Sequence, residues 1–304
     1  MAPAHKKTVV IVTGPTAVGK TDVAIELAGH FNTEIISADS RQCFEELNIG
    51  VARPFPWELA KVKHHFIASH SIRDEVNAAT FEQYALQKAH ELFQHHDKVI
   101  MVGGTGLYIK AFCEGLDDIP SIKPEIRKEI SWQYEKNGMK WLVEQIMEKD
   151  PEFYKIGEIQ NPQRMMRALE VIESTGQSVL SFRKGEKAER NFNIIKIGLE
   201  LPKEQLHQHI NKRVDKMMDA DLLLEVKSLQ QYSRLNALQT VGYAEIFDYL
   251  SGKISLSEAV RNIKTNTRQY AKRQMTWFKK DKEIKWFKPS QVNEIIEFLE
   301  SVQD

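Results

Sequence analysis

The sequence of 304 residues predicts an α/β fold, in which helices flank a parallel sheet and a helical insertion domain interrupts it. Two observations lead to this prediction. The first hundred residues alternate short apolar runs with stretches whose apolar residues recur at helical spacing. From about residue 115 to 190, by contrast, prolines and long helical patterns appear without a convincing strand. Strands that alternate with helices in this way predict a parallel sheet.

The first predicted strand leads directly into a phosphate-binding motif. Residues 8–13, "TVVIVT", are followed by "GPTAVGKT", which matches G-x-x-x-x-G-K-[ST] at Gly14, Gly19, Lys20 and Thr21. In such a loop the backbone amides and the lysine hold phosphate oxygens, while the threonine hydroxyl can bind Mg²⁺. A helical pattern starts at Thr21, so a helix N-terminus faces the anion. The predicted fold is therefore P-loop NTPase-like.

Two further predicted strands end beside polar or glycine residues. "TEIISADS" (33–40) runs past Asp39, and "KVIMVGGTGLYIKAF" (98–112) passes through Gly103 into a helix. A clear amphipathic helix, residues 78–96, separates them. The carboxyl ends of parallel strands meet at one edge of a sheet, where ligands bind. We therefore expect Gly14, Asp39 and Gly103 to converge.

The chain divides into three predicted segments. Residues 1–114 form the P-loop α/β core, and residues 115–190 form the helical insertion. Residues 191–304 contain near their start "FNIIKIGLEL" (192–201), a strand pattern that could rejoin the sheet, and continue with basic C-terminal helices.

Charge is balanced overall but unevenly distributed. Lys and Arg equal Asp and Glu in number, whereas residues 261–285 hold nine basic residues and two acidic ones. Spacings of three and four residues place part of this charge along one side of a helix. The stripe is either a solvated helix face or a surface that contacts RNA phosphates. We call it the basic stripe; its members are Arg261, Lys264, Arg268 and Lys272.

Composition excludes several classes of protein. No apolar run is long enough to span a membrane, and the N-terminus lacks the apolar region of a signal peptide. Cys43 and Cys113 are too few for a disulfide framework. The adjacent histidine pairs 64–65 and 95–96 do not converge on one helix face, so they are interpreted as surface or structural residues. These features predict a cytoplasmic protein, which we expect to be a monomer.

A kinase is the first alternative for any chain with this loop. Such enzymes usually hold Mg²⁺ with an acid at the end of an apolar strand, but residues 99–102 lead into glycines instead. The only acid at an early strand end is Asp39, which is either a turn or helix-capping residue or a catalytic carboxylate. A nucleotide or small-molecule kinase that binds ATP remains an alternative, as does a non-catalytic RNA-binding protein.

Six motifs together resemble those of one family, the tRNA dimethylallyltransferases, also called tRNA isopentenyltransferases. The resemblance covers residues 9 to 287, and the motifs follow the family's order. They are "GPTAVGKT" (14–21), "DSRQ" (39–42), "VGGTGLY" (102–108), "NPQRMMRALEV" (161–171), "TVGYAE" (240–245) and "TRQYAKRQMTWF" (267–278).

The resemblance implies a specific prenyl transfer. The loop would bind dimethylallyl diphosphate, and the five-carbon group would move to N6 of adenine 37, next to the anticodon of a tRNA. The partners would be dimethylallyl diphosphate and the anticodon arm, with Mg²⁺ as cofactor and pyrophosphate as leaving group. The chemistry is consistent: an allylic diphosphate ionises towards a carbocation, so the departing charge must be stabilised. The exocyclic amine must also lose a proton, which a carboxylate can accept.

The resemblance also implies roles for individual residues. The catalytic residues would be Asp39 as general base, Thr105 near the reacting centre and Arg213 as a second diphosphate ligand, with Thr21 on the metal. The diphosphate-binding residues would be Gly14, Pro15, Thr16, Ala17, Val18, Gly19, Lys20 and Thr21. The tRNA-binding residues would be Asp39, Ser40, Arg41, Gln42, Thr105, Arg127, Gln163, Arg164, Met165, Met166 and Arg167. On the residues alone, the arginines could equally be solvated or form structural ion pairs.

The chain departs from the family's commonest pattern at a few positions. Cys43 and Phe44 follow "DSRQ", where an aliphatic residue and a tyrosine are usual. Val51 lacks a hydroxyl that the family has, and Ala68 stands where an acid is usual. A glycine before "LL.EV" is replaced in "ADLLLEV" (220–226). These changes leave the predicted diphosphate loop and Asp39 intact.

Overall fold

A computed structural model describes residues 7–183, 185 and 187–302. The chain forms two compact units. One consists of the chain up to Cys113 and from Glu189 onwards, and the other is Glu114–Ala188. Each unit has its own hydrophobic core.

The first unit is built on a six-stranded sheet whose paired strands all run parallel. The strands are β1 Thr8–Thr13, β2 Ile35–Ser37, β3 His64–His65, β4 Lys98–Val102, β5 Asn193–Leu199 and β6 Lys285–Phe287. Their order across the sheet is β3-β2-β4-β1-β5-β6. In the register, Val10 lies opposite Ile100 on one side and Ile195 on the other. The predicted parallel sheet is confirmed, and the strand predicted at 192–201 rejoins it.

Helices cover both faces of the sheet. Val9 and Ile11 of β1 pack into one core cluster, whereas Val10 and Val12 pack into another on the opposite face. Alternation between two buried faces explains why β1 is apolar throughout. The helices, in chain order, are α1 Lys20–His30, α2 Pro56–Lys61, α3 Ala78–Leu92, α4 Gly106–Glu114, α5 Pro124–Lys149, α6 Pro151–Ile156, α7 Pro162–Thr175, α8 Lys203–Asp219, α9 Leu222–Ser228, α10 Tyr243–Leu250, α11 Leu256–Phe278 and α12 Val292–Ser301.

The second unit is helical, as predicted for the insertion. It contains α5, α6 and α7, and α5 is interrupted at Gly138, whose φ of +69° is compatible with glycine. Asn161 caps α7 by accepting from the Arg164 amide, and Gly176 ends that helix in a left-handed conformation. Leu142, Phe153 and Leu169 contribute to a core that this unit forms by itself.

Two strands were not predicted from the sequence, and one was predicted too long. β3 has two residues and β6 has three, so neither shows an apolar run that marks a strand. β2 covers residues 35–37 of the eight-residue segment 33–40. In the described residues, no helix is both long and apolar enough to cross a membrane.

Candidate active site

The phosphate-binding loop lies at the carboxyl end of β1, between the sheet and α1. Gly14 has a φ of +143°, and a Cβ atom there would lie 2.5 Å from the carbonyl oxygen of Leu199. Gly19 has a φ of +101° and is the N-cap of α1. Both positions therefore require glycine, one for the close approach of β5 and one for the left-handed turn. The loop runs from strand to helix, as the motif predicts.

Lys20 folds back across the loop. Its ammonium donates to the carbonyl oxygens of Pro15 at 2.8 Å and Gly14 at 3.1 Å. Burial, followed by the positive charge of Arg213, lowers the pKa of Lys20 to about 7, and the Asp39 carboxylate acts in the opposite direction. A buried ammonium beside a second cation favours the binding of an anionic ligand.

Helix α8 brings a second cation to the same loop. Arg213 donates from Nη1 to the Thr16 hydroxyl at 3.2 Å, and its pKa is lowered by burial. The carboxylates of Asp22, Asp39 and Glu58 oppose that shift. One turn earlier, the ring of His209 contacts the Ala17 carbonyl at 3.3 Å. The two helices α1 and α8 thus present their basic groups to one loop.

Asp39 lies just beyond β2 and holds a tight turn. Its Oδ1 accepts the backbone amides of Arg41 at 2.9 Å and Gln42 at 3.2 Å. These bonds fix the orientation of the carboxylate, and its charge acts on both Lys20 and Arg213. Asp39 therefore does stabilise a turn, which was one of the two roles predicted for it. It leaves the carboxylate beside the phosphate loop, where a base would be needed.

Thr105 joins the ends of β2 and β4. Its Oγ1 accepts the Ser40 amide at 3.0 Å and donates to the Ser40 hydroxyl at 3.3 Å. Gly103 lies so close that an added Cβ would be 2.2 Å from the Ala38 carbonyl oxygen. The Thr13 hydroxyl also donates to the Gly103 carbonyl at 3.3 Å. The predicted convergence of the three strand ends is confirmed.

Gln42 connects this turn to the loop that precedes α2. Its Nε2 donates to the carbonyl oxygens of Val51 at 3.2 Å and Ala52 at 3.0 Å. The same loop is held from the far side by the Glu225 carboxylate, which accepts the Ile49 amide at 2.7 Å and the Tyr243 hydroxyl at 2.6 Å. The loop is thereby fixed at both flanks.

Most of the departures from the family pattern have structural explanations. Cys43 and Phe44 are buried, so they contribute packing. Val51 offers Gln42 only its backbone carbonyl, which does not depend on the missing hydroxyl. Asp221 has a φ of +66° and adopts the left-handed conformation that glycine provides in the common pattern, as Asp tolerates better than most residues. Ala68 has a φ of +45°, a left-handed conformation that Asp tolerates better than Ala, so the structure does not explain this departure.

Helix α11 contributes residues to the site that were not predicted from the sequence. Gln274 is 7% exposed; its Oε1 accepts the Thr16 amide at 2.8 Å, and its Nε2 donates to the Gly104 carbonyl at 2.9 Å. A Cβ on Gly104 would lie 2.3 Å from that Nε2. One turn earlier, burial and the Asp39 charge raise the pKa of Tyr270 to about 12. Gln274 lies in the motif "RQMTWF", but a sequence motif does not reveal a contact between two residues 258 positions apart in the chain.

The predicted tRNA-binding residues of the insertion differ in exposure. Arg127 and Arg167 both approach the buried Glu170 carboxylate, at 3.6 and 3.2 Å. Arg164 pairs with Glu158, and Gln163 is exposed. Two predicted contacts, Met165 and Met166, instead have their side chains in the core of the insertion, at 0% and 8% exposure. They lie on the apolar side of an amphipathic helix, whose opposite side carries the arginines.

The basic stripe lies on α11, and part of its charge is paired. Arg261 lies 3.7 Å from Glu258, and Lys264 lies 2.5 Å from Asp215 of α8. Arg268 donates to the Thr265 hydroxyl at 3.1 Å, and Lys272 is exposed. A hollow of about 280 Å³ is lined by Arg261, Lys264 and Arg268, together with Asn211, Ser257 and Val260. The stripe therefore offers a basic concave surface.

Comparison with known proteins identifies the family. The family model described as IPP transferase matches residues 42–281. The chain is 45% identical to tRNA dimethylallyltransferase 1 of Bacteroides thetaiotaomicron, covering 96% of this chain and 95% of that protein. It is 46% identical to the tRNA dimethylallyltransferase of Cytophaga hutchinsonii, covering 97% of each. These matches cover both units of the chain.

Solved structures agree with the sequence matches. The full-length tRNA isopentenylpyrophosphate transferase of Bacillus halodurans superimposes with a TM-score of 0.72 at 32% identity, over 98% of this chain and 97% of that one. A eukaryotic dimethylallyltransferase, solved acting on tRNA, gives a TM-score of 0.73 at 26% identity, over 89% of this chain and 69% of that one. The fold is P-loop NTPase-like, and the chain belongs to the IPP transferase family.

Proposed function

We propose that the chain transfers a dimethylallyl group from dimethylallyl diphosphate to N6 of adenine 37 in tRNA and releases pyrophosphate. The observation that carries the proposal is the arrangement around the phosphate loop. Lys20 and Arg213 supply two cations to the loop, and the Asp39 carboxylate is close enough to act electrostatically on both. An anion site beside an oriented carboxylate suits the departure of a diphosphate and the capture of a proton.

The loop is proposed to stabilise the leaving group. As the allylic C–O bond breaks, negative charge grows on the diphosphate, and only contacts that strengthen with that charge lower the barrier. Lys20 and Arg213 can meet this requirement because both already contact the loop, Lys20 at the Gly14 carbonyl and Arg213 at the Thr16 hydroxyl. Lys20 must turn from the Gly14 and Pro15 carbonyls towards the diphosphate.

A divalent cation, proposed to be Mg²⁺, fits the oxygen donors at the start of α1. The Thr21 hydroxyl lies in the first turn of α1, and oxygens of the bound diphosphate would complete the coordination. Hydroxyl, carboxylate and diphosphate oxygens are ligands that Mg²⁺ prefers. When bound, the metal would neutralise charge on the departing diphosphate.

Asp39 is proposed to accept the proton that N6 loses on alkylation. A neutral exocyclic amine is a weak nucleophile, and the product is stable only once that proton has left. The amides of Arg41 and Gln42 hold Oδ1, so the carboxylate keeps one orientation. Thr105, bonded to Ser40, keeps the neighbouring turn in the same position. Together these residues form one face of the proposed adenine site.

Recognition of tRNA is proposed to use both units. The turn that contains Ser40, Arg41 and Gln42 would contact the target nucleotide and its neighbours. In the insertion, Arg127, Gln163, Arg164 and Arg167 would contact the anticodon arm, with the arginines exchanging carboxylate for phosphate partners. The side chains of Met165 and Met166 are excluded from this set by burial. An adenine stacked in the loop must flip out to reach Asp39.

The kinase alternative is less well supported. No carboxylate follows β4, where Gly103 and Gly104 occupy the strand end. The family and both solved structures favour prenyl transfer.

The direct test is mass spectrometry of tRNA nucleosides after incubation with dimethylallyl diphosphate and Mg²⁺. N6-dimethylallyladenosine should appear with the wild-type protein and disappear with Lys20→Ala or Thr21→Ala, while both variants retain tRNA binding. Radiolabelled ATP serves as the competing donor. Phosphate transfer or hydrolysis of ATP, with no prenylated nucleoside, would overturn the proposal.

A further inference from the structure

Two large aromatic side chains lie together on the surface just before and within α2. Phe55 is 62% exposed and Trp57 is 57% exposed. Their rings are stacked, with centroids 6.0 Å apart and planes inclined by 10°. The Lys61 ammonium lies 5.2 Å from the centre of the Trp57 ring. A stacked aromatic pair left in water, with a cation beside it, indicates a binding surface.

The pair is held on a rigid support. The Phe55 amide donates to the Glu58 carboxylate at 2.7 Å, and Pro56 occupies the first helical position, so the start of α2 is fixed. Glu58 itself is 8% exposed. Just upstream, Arg53 donates to the carbonyls of Phe44 at 2.7 Å and Glu45 at 2.9 Å. A preorganised support loses little freedom when a ligand binds.

The support is continuous with the candidate active site. Gln42, which belongs to the turn held by Asp39, donates to the carbonyl of Ala52, three residues before Phe55. The Glu58 carboxylate also acts electrostatically on Arg213, which contacts the phosphate loop. The aromatic pair therefore lies at the rim of the site where the target nucleotide is proposed to enter.

We propose that Phe55 and Trp57 form a stacking platform for an unpaired base of the anticodon loop beside the target adenine. The inference rests on the proposed function, since it requires a tRNA substrate. When the adenine flips out, a neighbouring base loses a stacking partner, and an aromatic surface at the rim replaces it. Stacking suits any base because every base has a π face.

The charges around the pair favour RNA over other occupants. A hollow of about 380 Å³ beside α2 is lined in part by Arg53 and by Lys63, which also lies 3.6 Å from the Glu34 carboxylate. With Lys61 at the Trp57 ring, these groups attract phosphates of the strand that carries the stacked base. In a symmetric contact between two copies of the chain, the same cations would face one another and repel. A base with its phosphate complements both the rings and the charge.

The test measures binding of an anticodon stem–loop in which 2-aminopurine replaces a base next to the target adenine. Trp57→Ala and the double variant Phe55→Ala with Trp57→Ala should weaken binding, the double variant by roughly 10- to 100-fold. The 2-aminopurine should be brighter with the double variant than with wild type, because stacking quenches it. Trp57→Phe should retain most of the affinity. The log–log salt slope should not change, because no phosphate contact is removed.

Leu224→Ala is the matched control, since Leu224 is 65% exposed on α9 in the same unit and should have no effect. The affinity for dimethylallyl diphosphate should be the same in all variants. A variant that loses prenyl transfer because it no longer binds the diphosphate can therefore be distinguished from one that loses only the stacking platform. Unchanged affinity and unchanged 2-aminopurine emission in the double variant would overturn the proposal. The proposal would also be overturned if sedimentation showed that the wild-type protein self-associates, that the double variant does not, and that the double variant keeps its tRNA affinity.

Discussion

Binding of a diphosphate should be accompanied by uptake of a proton at Lys20. In the free protein, burial and the charge of Arg213 lower the pKa of Lys20 to about 7. A diphosphate in contact with the ammonium favours the charged form and returns the pKa towards its ordinary value of 10.5. At pH 8 about one tenth of the free protein carries this proton, so about 0.9 proton should be taken up for each diphosphate bound.

The pH dependence of affinity follows from the same shift. Well below pH 7 Lys20 is already protonated, so no proton is taken up and the affinity is at its highest. As the pH rises above 7, protonation of Lys20 must accompany binding. The affinity for a fully ionised diphosphate should then fall about tenfold per pH unit until the pKa of the complex is reached.

Calorimetry at pH 8 in buffers of different ionisation enthalpy measures the uptake directly. The observed enthalpy of dimethylallyl diphosphate binding, plotted against buffer enthalpy, has the proton count as its slope. Lys20→Arg is the control, because its side chain stays charged and should give a slope near zero. Arg213→Ala should reduce the uptake, since removing the neighbouring cation raises the pKa of Lys20. A wild-type slope of zero, or equal slopes for wild type and Lys20→Arg, would refute the reasoning.

Three further predictions concern other parts of the site. Asp39→Ala should lower single-turnover prenyl transfer by about 10²–10⁴ with little change in tRNA affinity, and near-normal turnover would remove Asp39 as the base. Gln274→Ala should lower the free energy of unfolding by about 1–3 kcal/mol in denaturant titrations, because the Thr16 amide loses a buried partner; an unchanged midpoint would contradict this. Replacing Arg268 and Lys272 with Ala should flatten the log–log salt slope of tRNA binding by about one to two units. Replacing Arg261 and Lys264, the two ion-paired members of the basic stripe, serves as the control. An unchanged slope in the Arg268 and Lys272 variant would mean that the stripe is only a solvated helix face.

The fold was predictable where strands are long and apolar. β1, β4 and β5 carry their pattern in the sequence because both faces of each are covered. β3 and β6 could not be found, since their pairing depends on neighbours brought by the rest of the fold. The boundaries of the insertion were predicted at 115 and 190, and the compact unit spans Glu114–Ala188.

The site was predictable to the extent that it follows strand ends. Asp39 was predicted because it lies just after a strand, the loop was predicted by its motif, and Thr105 was predicted only through the family resemblance; their functional roles stay predictions. Gln274 and Tyr270 were not predicted, because a helix far along the chain reveals its contacts only in three dimensions. The motif "NPQRMMRALEV" shows the converse: it was assigned as a whole to tRNA, yet its methionines form core.

The order of the strands has a consequence for synthesis on the ribosome. β1 pairs with β4 on one side and β5 on the other, and β5 is made only after the whole insertion. Until then the nascent chain exposes an unpaired apolar strand edge, which invites aggregation. Gln274 emerges later still; at 5–20 residues per second it follows β4 by roughly 10–30 s. The phosphate loop, although translated before β5 and α11, is among the last parts of the first unit to reach its final contacts.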